Sequence, residues 1–237
     1  MTKGRVTRVL ERFEDDLKAR LATPGALNDL EAAARKAAAG KKIVSAENTV
    51  VGKLLVPSLH SIIEAELGNA ELAHNVLHSE ALEPRKAKQA SPLTCARASK
   101  HPFGKVLSEN AATIAELWSS KGSQGLAPAC PDFALGPPYK VVFEAKYFRS
   151  RTPRAARIAL VEGLYQAFFY RALPAAAAKY PKKQAPWDYE YACFVAVDRS
   201  GEKEDAWKSM RTEVRNSFWE SANIYPIIVG PPRPQRS

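Results

Sequence analysis

The chain has 237 residues, of which 46% are hydrophobic and 25% are charged, and this is ordinary globular composition with enough length to bury a core. The three cysteines form no Cys-x-x-Cys pair, which argues against a zinc or iron–sulfur site and against a disulfide framework. The formal net charge of +10 favours a polyanionic partner such as nucleic acid. Without a signal peptide or a membrane-length apolar segment, we expect a soluble, cytoplasmic protein that binds no membrane.

The first 120 residues are predicted to form a helical N-terminal region. Pro24-Gly25 ends a first helix, and an alanine-rich helix follows from about Asn28 to Gly40. A third helical region runs from about Glu47 to Leu77, with Pro57 as a kink or helix start. The first helix has one apolar stripe at three- and four-residue steps, formed by Val6, Val9, Leu10, Phe13, Leu17 and Leu21.

Between the third helical region and the second half, the helical pattern is lost. The segment from Glu83 to Lys105 is rich in lysine, arginine and proline and is predicted to be a long basic loop. A short helix is predicted from about Val106 to Ser119, where the N-terminal region ends.

The second half changes to alternating strands and helices. Strands are predicted over Ala129–Leu135, Tyr139–Phe148, Tyr189–Val197 and Ile224–Val229, and helices over Ile158–Leu173 and Glu202–Ser221. This order predicts an α/β fold with a mixed central sheet flanked by helices. We expect a catalytic core over residues 121–230 and a disordered tail over 231–237.

Three residues of the first two predicted strands are the candidates for a metal-dependent catalytic site. Pro131-Asp132 lies on the first strand, and Glu144-Ala145-Lys146 lies on the second. Alternate side chains of a strand share one face, so Glu144 and Lys146 point the same way and Asp132 can meet them across the hairpin. Two carboxylates and a backbone carbonyl provide the oxygen ligands that Mg²⁺ prefers, and a lysine beside them can orient or deprotonate water.

This arrangement resembles the PD-(D/E)xK nuclease superfamily, which includes restriction endonucleases and RecB-like exonucleases. The resemblance rests on Pro131-Asp132 and Glu144-Ala145-Lys146 in a strand–turn–strand setting. It implies a restriction-endonuclease-like core, with Asp132, Glu144 and Lys146 as catalytic residues and Asp132 and Glu144 as metal ligands. It also implies Mg²⁺ as the cofactor, with Mn²⁺ as a substitute, and DNA as the substrate.

The superfamily usually adds an acidic residue or a histidine from a helix that precedes the first strand. His60 and Glu64 are four residues apart and share a helix face, while Glu66 lies nearer the centre of the apolar arc. We rank Glu64 first as the fourth catalytic residue, Glu66 second and His60 third.

Two further groups of residues are predicted to contact DNA. Four arginines follow the second strand and are interpreted as a clamp on the phosphate backbone. Gln166 and Tyr170 are four residues apart in the next helix, and this pair is similar to a Gln-x-x-x-Tyr signature of RecB-like nucleases. The four arginines are Arg149, Arg151, Arg154 and Arg157.

The sequence therefore predicts a Mg²⁺-dependent DNA endonuclease of the type II restriction class that acts on double-stranded DNA. A homodimer is possible, because palindromic sites are usually cut by two-fold dimers, and the helical N-terminal region can supply DNA recognition or the dimer interface. One alternative is a RecB-like exonuclease or a repair or phage nuclease. Another is a non-cleaving nucleic-acid-binding module on a nuclease fold.

Overall fold

The computed structural model of the chain describes residues 2–39, 46–79, 132–149, 158, 160–168, 170–171 and 189–232. The predicted basic loop, the short helix of 106–119 and the proline-rich tail beyond 232 lie outside the described residues. The helical elements are α1 (Lys3–Ala22), α2 (Ala26–Ala39), α3 (Ala46–Val50), a π-helical turn (Val51–Leu55), α4 (Val56–Leu67), α5 (Ala70–Val76), α6 (helical at 158, 160–168 and 170–171), α7 (Glu202–Lys208) and α8 (Thr212–Glu220). The strands are β1 (Leu77–Ser79), β2 (Phe133–Leu135), β3 (Val141–Phe148), β4 (Tyr191–Asp198) and β5 (Ile224–Val229).

The five strands form a mixed sheet in the order β1-β2-β3-β4-β5. The pairs β1/β2 and β2/β3 are antiparallel, whereas β3/β4 and β4/β5 are parallel. The expected α/β architecture with a mixed sheet flanked by helices is therefore confirmed. Strand β4 is buried along its whole length and β3 over its first five residues, as expected for strands that helices cover on both faces.

Helices α1 and α4 pack against one face of the sheet. The apolar stripe of α1 is fully buried, and it shares a hydrophobic core with α4 and with alternate residues of β3 such as Val141, Phe143 and Ala145. A second core forms on the other face, where α6 covers Val142 and Phe194. The predicted N-terminal region thus contributes one layer of the sheet's own core and also supplies β1.

The third helical region is interrupted twice, at Gly68-Asn69 and at the predicted position, Pro57. Gly68 adopts a left-handed conformation with φ of 66°, and the side chain of Asn69 then accepts a hydrogen bond from the Leu72 amide to begin α5. Pro57 lies at the start of α4, directly after the π-helical turn. Because proline has no amide hydrogen, it leaves the carbonyl of Lys53 without its usual helical donor, and the wider turn accommodates this.

The single helix predicted over Glu202–Ser221 is wrong. It is two helices, α7 and α8, separated at Ser209–Arg211. The hydroxyl of Ser209 donates to the carbonyl of Ala206 at 2.7 Å, and Arg211 adopts extended dihedral angles that stop helical propagation.

Candidate active site

Asp132 lies where β2 stops pairing with β3. The last pair of the two strands is Phe133 with Phe143, and the Asp132 amide adds one more bond to the Phe143 carbonyl at 3.1 Å. Beyond this point, the Asp132 carboxylate replaces the missing strand, because its Oδ2 accepts the Ala145 amide at 2.7 Å. The turn between the strands therefore brings Asp132 against the middle of the Glu144-Ala145-Lys146 segment.

Glu144 and Lys146 share the face of β3 that α6 covers. The Lys146 Nζ lies 2.5 Å from Glu144 Oε1, and the Glu144 side chain is only 4% exposed. The partner of Glu144 on β4 is Phe194, which is fully buried. A carboxylate among apolar groups is costly to ionise, so Glu144 depends on the nearby cation.

A third carboxylate, Glu47 of α3, completes the cluster. Its Oε1 lies 3.8 Å from Lys146 Nζ, and its Oε2 accepts the Tyr147 amide at 3.3 Å. Glu47 and Asp132 thus bind successive outward amides of the same open strand edge, those of Tyr147 and Ala145. The sequence signal for Glu47 was weak, since an acidic residue in the first turn of a helix is common for reasons of helix polarity alone.

Burial and mutual repulsion change the protonation of the two inner carboxyls. Burial raises the pKa of Asp132 to about 7, although the Ala145 amide and Lys146 oppose the shift. Burial also raises the pKa of Glu144 to about 8, with the charge of Asp132 as the next cause. For Lys146, burial works to lower the pKa, but the charges of Glu144 and Glu47 raise it overall. Among the described residues, three carboxylates share one lysine, so the cluster has more acidic than basic groups.

The donor set of this cluster fits a hard divalent cation. Among the described residues, no group of three or more His, Cys, Asp and Glu side chains is placed so that it could hold a metal ion by itself. Mg²⁺ does not need such a cage, because it usually binds one or two carboxylates and keeps several waters. The Ala145 carbonyl lies on the same open strand edge as its amide, so it adds a third oxygen beside Asp132 and Glu144.

The three candidates for the fourth residue make their contacts elsewhere. Glu66 forms ion pairs with Arg5 at 2.7 Å and with Arg12 at 3.5 Å, which join α4 to α1. Glu64 lies 3.7 Å from His60 on the exposed edge of α4. Glu64 therefore stays a prediction, while among the described residues the carboxylates that contact Lys146 are Glu144 and Glu47 of α3.

The predicted DNA contacts have different outcomes. Arg149 is described and its side chain is 54% exposed, while Arg151, Arg154 and Arg157 lie outside the described residues. Tyr170 is only 5% exposed and belongs to the core beneath α6. Gln166 is half-buried on the same helix, and its Oε1 is buried without a hydrogen-bond partner among the described residues.

Comparisons of the chain with family models, with curated proteins and with solved structures gave no match. Within the described ranges, no helix has both the length and the apolar character needed to cross a membrane.

Proposed function

We propose that this protein is a Mg²⁺-dependent nuclease that hydrolyses phosphodiester bonds of DNA. The observation that carries the proposal is the cluster of Asp132, Glu144, Glu47 and Lys146 at the open edge of β3, which combines buried carboxylates with an excess of acidic over basic groups. The resemblance to the PD-(D/E)xK superfamily gives the finer proposal, a restriction-endonuclease-like core that cuts within double-stranded DNA.

Each member of the cluster has a distinct part in this proposal. Asp132, Glu144 and the Ala145 carbonyl would hold Mg²⁺, which when bound lowers the pKa of water and stabilises negative charge on the phosphate. The raised pKa of Lys146 keeps its ammonium protonated at neutral pH. Lys146 therefore orients the attacking water and donates to a phosphate oxygen, where negative charge develops, instead of removing a proton.

Glu47 positions Lys146. The ammonium lies between Glu144 on one side and Glu47 on the other, so the two carboxylates fix its direction at the strand edge. The hydrogen bond from the Tyr147 amide in turn fixes the Glu47 carboxylate. A lysine held in this way loses little freedom when the substrate arrives.

The test is a cleavage assay with the full chain on supercoiled plasmid and on linear duplex, in Mg²⁺, Mn²⁺ or EDTA. We expect metal-dependent cleavage by the wild type, and its loss in Asp132→Asn and Lys146→Ala with DNA binding retained. Lys140→Ala is the matched control, because Lys140 forms a comparable pair with Glu190 at 2.8 Å at the start of the same strand. Cleavage that survives Lys146→Ala would show that the cluster is not the catalytic site.

The products separate the proposed classes. Discrete internal fragments support the endonuclease, and progressive loss from the ends of linear DNA supports the RecB-like exonuclease. Metal-dependent DNA binding with no cleavage in either metal identifies a non-cleaving module. If the protein neither binds nor cuts DNA, the proposed function is wrong.

A further inference from the structure

Two arginines follow neighbouring parallel strands at the carboxyl end of the sheet. Arg149 comes directly after β3 and Arg199 directly after β4, and the final pair of these strands is Phe148 with Asp198. The Arg199 amide donates to the Phe148 carbonyl at 3.1 Å, which joins the two strand ends. Ligands of sheets with parallel strands commonly bind outside these carboxyl ends.

Both guanidinium groups bind one carboxylate, that of Glu31 on α2. The Arg149 Nε lies 3.1 Å from Glu31 Oε1, and the Arg199 Nη1 lies 2.6 Å from Glu31 Oε2. The Tyr147 hydroxyl donates to Glu31 Oε1 at 2.5 Å, and Arg199 also donates to Asn28 Oδ1 at 2.8 Å. Burial works to raise the pKa of Glu31, but the bonds from Tyr147 and Arg199 lower it overall, so Glu31 stays ionised at neutral pH.

The carboxylate of this group is buried, whereas its two guanidinium groups are exposed. The Glu31 side chain is 10% exposed, whereas the side chains of Arg149 and Arg199 are 54% and 40% exposed. Among the described residues, the ion pairs of both exposed arginines are thus with the one buried carboxylate of Glu31. Each guanidinium carries five N–H donors, so the pair keeps donors for a second anion after binding Glu31.

Tyr147 links this arginine pair to the candidate active site. Its hydroxyl binds Glu31, and its amide binds Glu47. Arg149 is three residues after Lys146 on the same chain, so their α-carbons are roughly 10 Å apart if the backbone stays extended. A DNA strand that passes the open edge of β3 beside Tyr147 can place its scissile phosphate at Lys146, on one face of the strand, and a neighbouring phosphate at the arginines, on the other.

We propose that Arg149 and Arg199, oriented by Glu31, bind a backbone phosphate of DNA next to the one that is cut. The inference rests on the proposed function and adds Arg199 as a binding residue and Glu31 as a positioning residue. The opposing explanation is an ion-pair cluster that only fastens α2 to the sheet. Guanidinium forks match phosphate oxygens, and such contacts fix the register of the duplex without reading its sequence.

The first experiment measures affinity for a fluorescein-labelled DNA duplex by anisotropy in EDTA, where cleavage does not interfere, over a series of salt concentrations. We expect Arg149→Ala and Arg199→Ala each to weaken binding by roughly threefold to tenfold and to reduce the salt slope by about one. Arg199→Lys keeps the charge but loses the fork, so its affinity should lie between those of the wild type and Arg199→Ala.

Arg8→Ala is the matched control. Arg8 is an exposed arginine near the start of α1. That end of α1 contacts the residues that precede β5, since Lys3 donates to the Trp219 carbonyl and to Asn223 Oδ1, so Arg8 lies toward the opposite end of the sheet. The control removes the same charge, and we expect it to change affinity by less than about twofold.

Glu31→Gln gives the sharpest test, because the two explanations predict opposite changes in DNA affinity. Removing an anion makes the protein more positive, so general attraction alone predicts tighter binding. If Glu31 orients the two arginines, binding weakens despite the added positive charge. Equal or tighter binding by Glu31→Gln, together with arginine variants that match Arg8→Ala, overturns the proposal and leaves a purely structural cluster whose loss lowers only the Tm.

These experiments can refute the proposed phosphate contact and the proposed nuclease activity independently of each other. Weakened binding in the arginine variants of a protein that never cuts DNA supports the phosphate contact and refutes the nuclease. Normal cleavage with unchanged binding in Arg149→Ala, Arg199→Ala and Glu31→Gln refutes the phosphate contact and keeps the nuclease. A wild type that binds no duplex refutes the phosphate contact directly.

Discussion

At the scale of single residues, the open edge of β3 explains why four side chains meet. β2 is only three residues long, so the amides of Ala145 and Tyr147 lack a neighbouring strand. A buried amide must find an acceptor, and Asp132 and Glu47 supply one each. The carboxylates are therefore placed by backbone hydrogen bonding, and this placement sets them beside Glu144 and Lys146.

We expect cleavage activity to depend on Glu47 and not on Glu64. Glu47→Gln keeps the size of the side chain but removes the charge that holds Lys146, so we expect activity to fall by about 10–100-fold. The loss should be in kcat, with little change in KM for DNA, because Glu47 acts through Lys146. The measurement is steady-state cleavage at saturating Mg²⁺.

Glu64→Gln is the comparison for this prediction. Glu64 contacts His60 at the exposed edge of α4, so its substitution should leave cleavage within about twofold of the wild type. If Glu64→Gln were the more damaging of the two, the assignment of Glu47 would be wrong.

At the scale of elements, the close approach of α6 to β4 builds the wall behind Glu144. Gly163 of α6 faces Phe194, and a Cβ at this position would lie 2.1 Å from the ring Cε2 and 2.5 Å from Cζ. Phe194 is fully buried in the core under α6 and is the strand neighbour of Glu144. Glycine is needed here for space, which lets the helix cover the apolar side of the site.

Gly163→Ala is therefore expected to destabilise the protein although alanine is the better helix former. The clash costs about 1–3 kcal/mol and the gain in helix propensity is about 1 kcal/mol, so we expect a net loss of up to about 2 kcal/mol and a Tm lower by a few degrees. The change in Tm is measured by thermal unfolding followed by circular dichroism.

The matched control for Gly163→Ala is Gly4→Ala in α1, since a Cβ there has no neighbour within 4 Å. This change should raise the Tm slightly through helix propensity alone. A stabilised Gly163→Ala variant would mean that α6 packs less tightly on β4 than described.

At the scale of the whole molecule, the two buried carboxyls of the site make the stability of the fold depend on pH. The pKa of Asp132 is raised from 3.8 to about 7 and that of Glu144 from 4.5 to about 8, both first by burial. The folded state thus binds more protons than the unfolded state between these values. The stability from these two carboxyls is fully present below their unfolded pKa values and is lost as the pH rises through the folded ones.

We expect the Tm in EDTA to fall between about pH 5 and about pH 9, by roughly 5–10 °C for a loss on the order of a few kcal/mol. Glu144→Gln is the control, because it removes one titrating group at constant size and should flatten the profile. Mg²⁺ binds the ionised carboxylates, so it should raise the Tm more at about pH 8 than at about pH 6. A flat wild-type profile in EDTA would contradict the raised pKa values.

Much of the architecture was predictable from the sequence because it depends on local patterns. The apolar stripe of α1, the proline and glycine boundaries, and the runs of strand-forming residues in β3, β4 and β5 predict elements within a few residues of their observed ends. The Glu-x-Lys spacing likewise places Glu144 and Lys146 on one face, since side chains alternate along any strand.

Only the tertiary structure decided which distant residues join Glu144 and Lys146. Glu47 is about 100 positions from Lys146 along the chain, and it meets the site because α3 lies along the strand edge that β2 leaves open. Glu31, Arg149 and Arg199 come together for the same kind of reason, as two parallel strands end beside α2. Sequence periodicity records which face of an element is buried, but contacts between elements depend on how their layers pack, and that information is not contained in any local pattern.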